Sequence, residues 1–414
     1  LITGLEIGSN LNIISNNAFE YCSSLENLEI PNNVQIIESY AFYNCIGLNN
    51  QLIIPDSVTK IGDHAFAYSA ITSVDFGKNL NELGQYIFYY CSKLSYLTLP
   101  ETLTSIDSYA FAFCTGIKGA IIIPDSMQNI GEFAFSHCSG FNNLTIGKNI
   151  KEIKENVFEY CSNLTELTIP NWVTSIKSSA FLSCTGIQGK VTLPDSIIEL
   201  SSYAFSHCSK MDSISFSRNI YEISERLQLN NLVIPDWITS IGSNAFYNCI
   251  GINGTLTIPD SVKIIKELAF SQWFGIDKLI IGQGLTEIEN DVFSHCKNLS
   301  EFVIPETIKT IGSYSFSYCD GIKGTLTIPD SITTIKKGAF SHCIGFTDLI
   351  ISKNIKEIDS EVFLNCEGII DLKIPDWVTS LGSYSFSHCA GLNGTLKIPD
   401  NVQFIDYSAF SYCL

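Results

Sequence analysis

Cations are scarce in this chain. It carries 24 Lys and Arg against 42 Asp and Glu over 414 residues, a formal net charge of −18. Nucleic-acid binding needs clustered Lys and Arg, so this balance argues against it. An acidic surface also disfavours contact with anionic membranes. No run of eighteen apolar residues occurs, which leaves no spanning helix. The N-terminus lacks a basic start, apolar stretch and cleavage site. Both ends, Leu1-Ile2-Thr3-Gly4 and Cys413-Leu414, fall inside a repeat, so the sequence reads as a fragment of a longer chain. Charged residues are also few, at 16% against 45% apolar, which excludes a disordered chain. Gly-x-Ser-x-Gly, a phosphate loop, His-Glu-x-x-His and Cys-x-x-Cys pairs are all missing. No catalytic residue, metal site or cofactor is therefore expected, and an enzyme is the least supported class.

What is present is a repeat, which overrides the prior of two or three globular domains for this length. Phe19, Phe42, Phe66, Phe88, Phe111, Phe135, Phe158, Phe181 and Phe205 follow one another at intervals of 22–24 residues. After a gap of 41 the series resumes at Phe246 and runs through Phe270, Phe293, Phe316, Phe340, Phe363 and Phe386 to Phe410. A slower period of 70 residues lies on top, three turns long. In each triplet the first turn carries Gly-Ile-x-Gly before its strand, as in Gly321-Ile322-Lys323-Gly324. The second replaces the Pro after the strand by Gly or Ser, as at Gly147. All 12 prolines occupy that one position in the remaining turns.

The pattern describes a coil with an apolar lumen. In Leu167-Thr168-Ile169 the alternation is that of a strand with one buried face, with Thr168 outward. Pro170 ends the strand because it cannot donate to a ladder. Val173 and Ile176 return to the core from the opposite wall, where a second short strand is expected. Ala180-Phe181 and Cys184 then sit on a tight or one-turn helical segment that closes the coil. One turn cannot bury such a face, but stacked turns bury it continuously. The expected fold is a repeat solenoid over residues 1–414, mainly β with short helical turns, of about eighteen stacked turns.

The phrase Leu-x-Ile-Pro-x-x-Val-x-x-Ile-x-x-x-Ala-Phe-x-x-Cys-x-x-Leu resembles the BspA-like, or Treponema-type, leucine-rich repeats, and it recurs over the whole chain. Members of that family are surface or secreted proteins implicated in adhesion. The resemblance implies a non-catalytic, adhesin-like protein at the cell surface or secreted, contacting host, matrix or microbial proteins. The alternative is an intracellular scaffold that docks proteins on the same solenoid. Neither reading calls for a nucleic acid or a small-molecule substrate.

One turn departs from the pattern. At 224–231 five residues are missing together with the Phe and the Cys, so the wall is expected to thin there while strand Leu232–Ile234 survives. Each of the 15 cysteines lies three residues after a spine Phe; Ser69 and Trp273 replace one. They read as small buried hydrophobes, not disulfides. His137, His207, His295, His342 and His388 each precede a Cys and read as exposed wall residues. Asp56, Asp125, Asp260 and Asp330 follow Pro, which is ordinary turn chemistry.

Two sets of residues are candidates for partner binding. Trp172, Trp237 and Trp377 stand two residues after Pro, where equivalent turns carry Ser57, Ser126 or Ser331. Exposed Trp is a frequent hot spot; packing on a neighbouring turn is the competing explanation. The second set is the outward strand row, including Thr145, Thr168, Thr192, Thr257, Ile280, Val303 and Thr327. A long uncharged ladder suits a flat protein partner, and equally suits strand propensity.

Overall fold

Alternation before each Pro and a second apolar pair after it give every turn two short strands, and stacking sets those strands in parallel register. A computed structural model describes residues 2–223, 232–249 and 252–413. The chain falls into two compact units, Leu1–Asn219 and Ile220–Leu414. Each is a parallel β-solenoid, and together they contain about seventeen turns. The irregular 224–231 segment lies outside the described residues.

The turn that begins at Phe111 shows the pattern. Strand Gly119–Ile122 pairs in parallel with Phe141–Thr145 of the next turn. Ile121 and Ile123 are buried and Ile122 is exposed, so the strand alternates as expected. After Pro124, Met127 re-enters the core, and strand Asn129–Ile130 pairs with Ser105–Ile106 of the turn before. Ala134, Phe135 and Cys138 then close the coil, none of them exposed.

The closing segment differs from expectation. Among the described residues there is no helix. Two residues before and two residues after each spine Phe the backbone takes a left-handed φ, as at Tyr109 (61°) and Phe113 (62°) around Phe111. These reversals prevent a helical run. They turn alternate N–H groups toward the next coil: Tyr40, Phe42 and Asn44 donate to the carbonyls of Asp63, Ala65 and Ala67 at 2.8–2.9 Å. The third wall is thus a hydrogen-bonded ladder without being a strand. Inside it the spine Phe rings stack nearly parallel, with centroids 5.2–5.7 Å apart from Phe19 to Phe205. In the second unit, from Phe246 to Phe410, the spacing is 5.3–6.0 Å. Each such pair adds about 0.5–1.5 kcal/mol beyond area burial.

Thirteen of the fifteen cysteines are buried as expected, with Cys22 and Cys413 half-buried, and the thiols also donate. In turn after turn the thiol reaches the carbonyl of the Phe one coil back, as Cys114 does to Phe88 at 3.1 Å, Cys184 to Phe158 at 3.0 Å and Cys343 to Phe316 at 3.0 Å. Trp273, which replaces a Cys, gives its indole N–H to Phe246 in the same way. Burial pushes the thiols up, to about 12 for Cys45, Cys296 and Cys343. They stay protonated and able to donate.

At Gly147 and Gly77, in second turns, a Cβ would collide with the carbonyl of the Pro one coil earlier, whereas Ser217 and Ser352 take the same position and donate their hydroxyls to the Ile197 and Ile332 carbonyls at 2.7 and 2.8 Å. Strand residues Leu232–Ile234 are not paired into a ladder, contrary to expectation. The same is true of residues 167–169 and 372–374. All three segments precede the Trp-bearing turns, whereas the equivalent turns with Thr102 and Thr307 keep strands Tyr96–Leu97 and Glu301–Val303.

Candidate protein-binding surfaces

Three outward surfaces carry candidate residues. The first is the strand wall. Thr145, Thr168, Thr192, Thr257, Ile280, Val303 and Thr327 are all exposed. Direct pairing sets Thr257 beside Ile280 and Ile280 beside Val303, and Thr327 beside Ile350. In the second unit this gives an uncharged centre in which Ile280, Val303 and Ile350 are 44%, 78% and 54% exposed. Two residues earlier on the same face, Lys278 and Glu301 form an ion pair at 3.0 Å, so the apolar centre has a charged flank. That is the anatomy of a protein interface. Gly324, with φ at +71°, opens its strand and shifts the ladder register by one residue. Only glycine adopts that bulge without strain.

The second surface is the edge after each Pro. Here Trp172 and Trp377 are half-buried. Their indole N–H groups donate to the carbonyls of Gly147 (3.0 Å) and Ser352 (2.9 Å) one coil back. Trp237 is half-buried as well. The acids after Pro act across coils too: Asp125 accepts the Lys148 backbone N–H at 3.0 Å and its Nζ at 2.6 Å. Asp330 does the same for Lys353, at 3.0 and 2.7 Å. These contacts hold Asp125 and Asp330 below the usual carboxylate range. The triplets that begin at Asp125 and Asp330 are therefore clasped along this edge, first turn to second by Asp and Lys, second to third by Trp. Among the described residues no three His, Cys, Asp or Glu converge on a point where a metal ion would sit.

The third surface, on the tight-turn wall, was not singled out in the sequence. The left-handed positions that flank the spine form two columns of stacked rings in the first unit. Tyr40, His64, Tyr86, Tyr109 and Phe133 stack at 4.5–4.6 Å with interplanar angles of 4–13°. Tyr68, Tyr90, Phe113, His137 and Tyr160 stack at 4.3–5.2 Å. Tyr89 lies between the columns, edge-on to Tyr86 and Phe113. In the second unit the pattern is shorter, His295–Tyr318–His342 at 4.3–4.4 Å. Of the histidines read as an exposed row, His207 and His388 are exposed, while His137, His295, His342 and His388 stack on neighbouring rings. His137, His295 and His342 are half-buried, and burial lowers their pKa. The available signal was the recurrence of Tyr, Phe, His and Asn two residues either side of the spine Phe, since left-handed backbone favours Asn and His among non-glycine residues.

Comparison with known proteins follows this geometry. The model of the BspA-type leucine-rich-repeat region, in six copies, matches residues 12–139, 119–227, 224–343 and 286–414. No curated protein matches the chain. Among solved structures, a leucine-rich-repeat protein from Bacteroides ovatus is 20% identical, with 98% of this chain and 94% of that one covered at a TM-score of 0.61. A leucine-rich cell surface protein from Faecalibacterium prausnitzii is 23% identical over 77% of this chain and 83% of its own, at a TM-score of 0.46. The first of these shares the fold. With the repeat model matched over almost the whole sequence and the stacked parallel coils it describes, this chain belongs to the BspA-type leucine-rich-repeat family.

Proposed function

We propose that the protein is a surface-displayed solenoid that mediates adhesion by binding a host, matrix or microbial protein through its strand wall. The observation that carries this reading is the row of exposed, uncharged β-branched side chains in the second unit. Val303 at 78% and Ile350 at 54% exposure are apolar area with no partner inside the coil, and contiguous exposed apolar surface marks interaction sites. Rigid strands fix their spacing, so little conformational entropy is lost when a partner docks. Trp172, Trp237 and Trp377 contribute at most their exposed ring edges, since Trp172 and Trp377 spend their indole N–H groups within the fold.

Two experiments test the proposal. Protease shaving of intact source cells should release peptides of this chain without lysis. Full protection until lysis would overturn the surface role in favour of an intracellular scaffold, a second reading favoured by the fifteen free thiols in view of the redox compartments where thiols persist. Beads coated with the protein should adhere to host-cell monolayers. A Val303→Glu/Ile350→Glu variant should lose that adhesion, and unaltered adhesion would remove the strand wall from consideration.

A further inference from the structure

Up to Cys138 the tight-turn wall of the first unit combines aromatic rings with carboxylates and holds no cation, and Lys154 and Lys177 follow in the next two turns. The segments 15–22, 38–45, 62–69, 84–91, 107–114 and 131–138 contain Glu20, Glu38, Asp63, Asp107 and Glu132 and not one Lys or Arg. Asp63, Glu82 and Asp107 line a groove of ≈ 430 Å³ together with Gly62, Gly84 and Lys60. The groove adjoins the ring column in sequence, since Asp63 precedes His64 and Gly84 lies two residues before Tyr86. Burial, together with the nearby charges of Asp63 and Glu82, raises the Asp107 pKa. Lys154 opposes that rise and Lys60 lines the groove, so the three carboxylates outnumber the cations beside them.

The rings add a second feature. Their faces are occupied by one another, which leaves ring edges to meet a partner: Tyr86 and Tyr109 are half-buried, and in the neighbouring column Tyr90 and Tyr160 are 40% and 44% exposed. A guanidinium suits such a surface better than an ammonium does. It is planar, weakly hydrated, lies against aromatic groups and forks to carboxylates. We propose that this wall binds a basic, arginine-bearing polypeptide segment, with arginines against the Tyr86–Tyr109 edges and paired with Asp63, Glu82 and Asp107. With rings 4.5–4.6 Å apart, the column is roughly 18 Å long, the reach of about five or six extended residues. The proposal rests on the reading of the protein as a protein-binding solenoid, but uses a different wall from the strand row.

The test is fluorescence anisotropy of the full chain with a labelled peptide of alternating Arg and Gly, with a Glu-Gly peptide as control. The Arg peptide should bind, more weakly at higher salt, and the Glu peptide should not. Tyr86→Ser/Tyr109→Ser places at both sites a residue the column already holds at Ser179, where φ is 57°. Asp63→Asn/Asp107→Asn keeps the acceptor through which Asp63 holds the Gln85 N–H at 2.9 Å. Each double variant should weaken binding about tenfold or more, the scale of a hot-spot loss. Should the Tyr pair misfold, the single variants Tyr86→Ser and Tyr109→Ser give the same readout within the same column. Val303→Glu/Ile350→Glu should leave peptide binding unchanged, which separates this proposal from failure of the strand wall. Equal binding of the Glu peptide would overturn it. So would wild-type affinity in the Tyr variants with loss only in the Asp pair, because diffuse attraction would then suffice.

Discussion

Replacing Cys114 distinguishes two roles for the thiol column. Cys114 is wholly buried, and its thiol donates to the Phe88 carbonyl at 3.1 Å. That carbonyl also accepts the Cys91 backbone N–H at 3.1 Å. Cys114→Ala deletes one sulfur from a packed site, which costs about 1 kcal/mol on the scale of a buried methylene. The lost hydrogen bond adds roughly 0.5–1 kcal/mol, at the low end because the carbonyl keeps its other donor. The expected total is about 1.5–2 kcal/mol. Cys114→Ser keeps a donor at nearly the same volume and should cost less than about 1 kcal/mol. Cys114→Val fills the space but removes the donor and overpacks the site, with a cost of about 1–3 kcal/mol. The expected order of stability is Ser above Ala and Val. Unfolding of stacked coils need not be all-or-none, so native-state hydrogen exchange at the Phe88, Phe111 and Phe135 amides is the appropriate assay. If Val proved the mildest change and Ser the worst, the thiol would be a hydrophobic filler and the donor argument would fail.

Further outcomes follow from the same contacts. Phe316→Ala should cost about 3–5 kcal/mol and loosen the neighbouring coils first in hydrogen exchange; a uniform loss along the array would contradict nearest-neighbour stacking. Buried thiols at about 12 in Cys45, Cys296 and Cys343 titrate above their unfolded value of roughly 8.5. The unfolded chain then releases its protons first, so stability holds up to about pH 8.5 and falls as pH rises toward the folded values. Urea midpoints that stay level to pH 11 would refute this. At Gly338, where φ is +63°, a Cβ would strike the Tyr314 ring, which crosses above it to donate to Glu361 at 2.8 Å. Gly338→Ala should break that contact and raise exchange around Tyr314, while Gly324→Ala, whose Cβ would meet open space, should show only the strain of its φ.

The sequence by itself determined the period, the two strand walls and the residues that face the lumen. Alternation around Pro and the recurring Phe specify burial within a single turn, and Ile121, Met127, Phe135 and Cys138 are all buried as the pattern requires. It also identified the outward row from Thr145 to Thr327, because the strand period is two and the opposite face follows at once. Tertiary structure decided what lies one coil away. The coil-to-coil thiol bonds span 25 to 27 residues, the Trp clasps 25 and the Asp–Lys clasps 22 or 23. No local propensity encodes contacts at such separations. The closing segments were expected as a tight turn or one short helical turn, and left-handed residues on both sides of the Phe exclude the helix and direct its N–H to the next coil. That reversal brings tyrosines more than twenty residues apart into stacking contact, and so creates the aromatic wall that no single repeat contains.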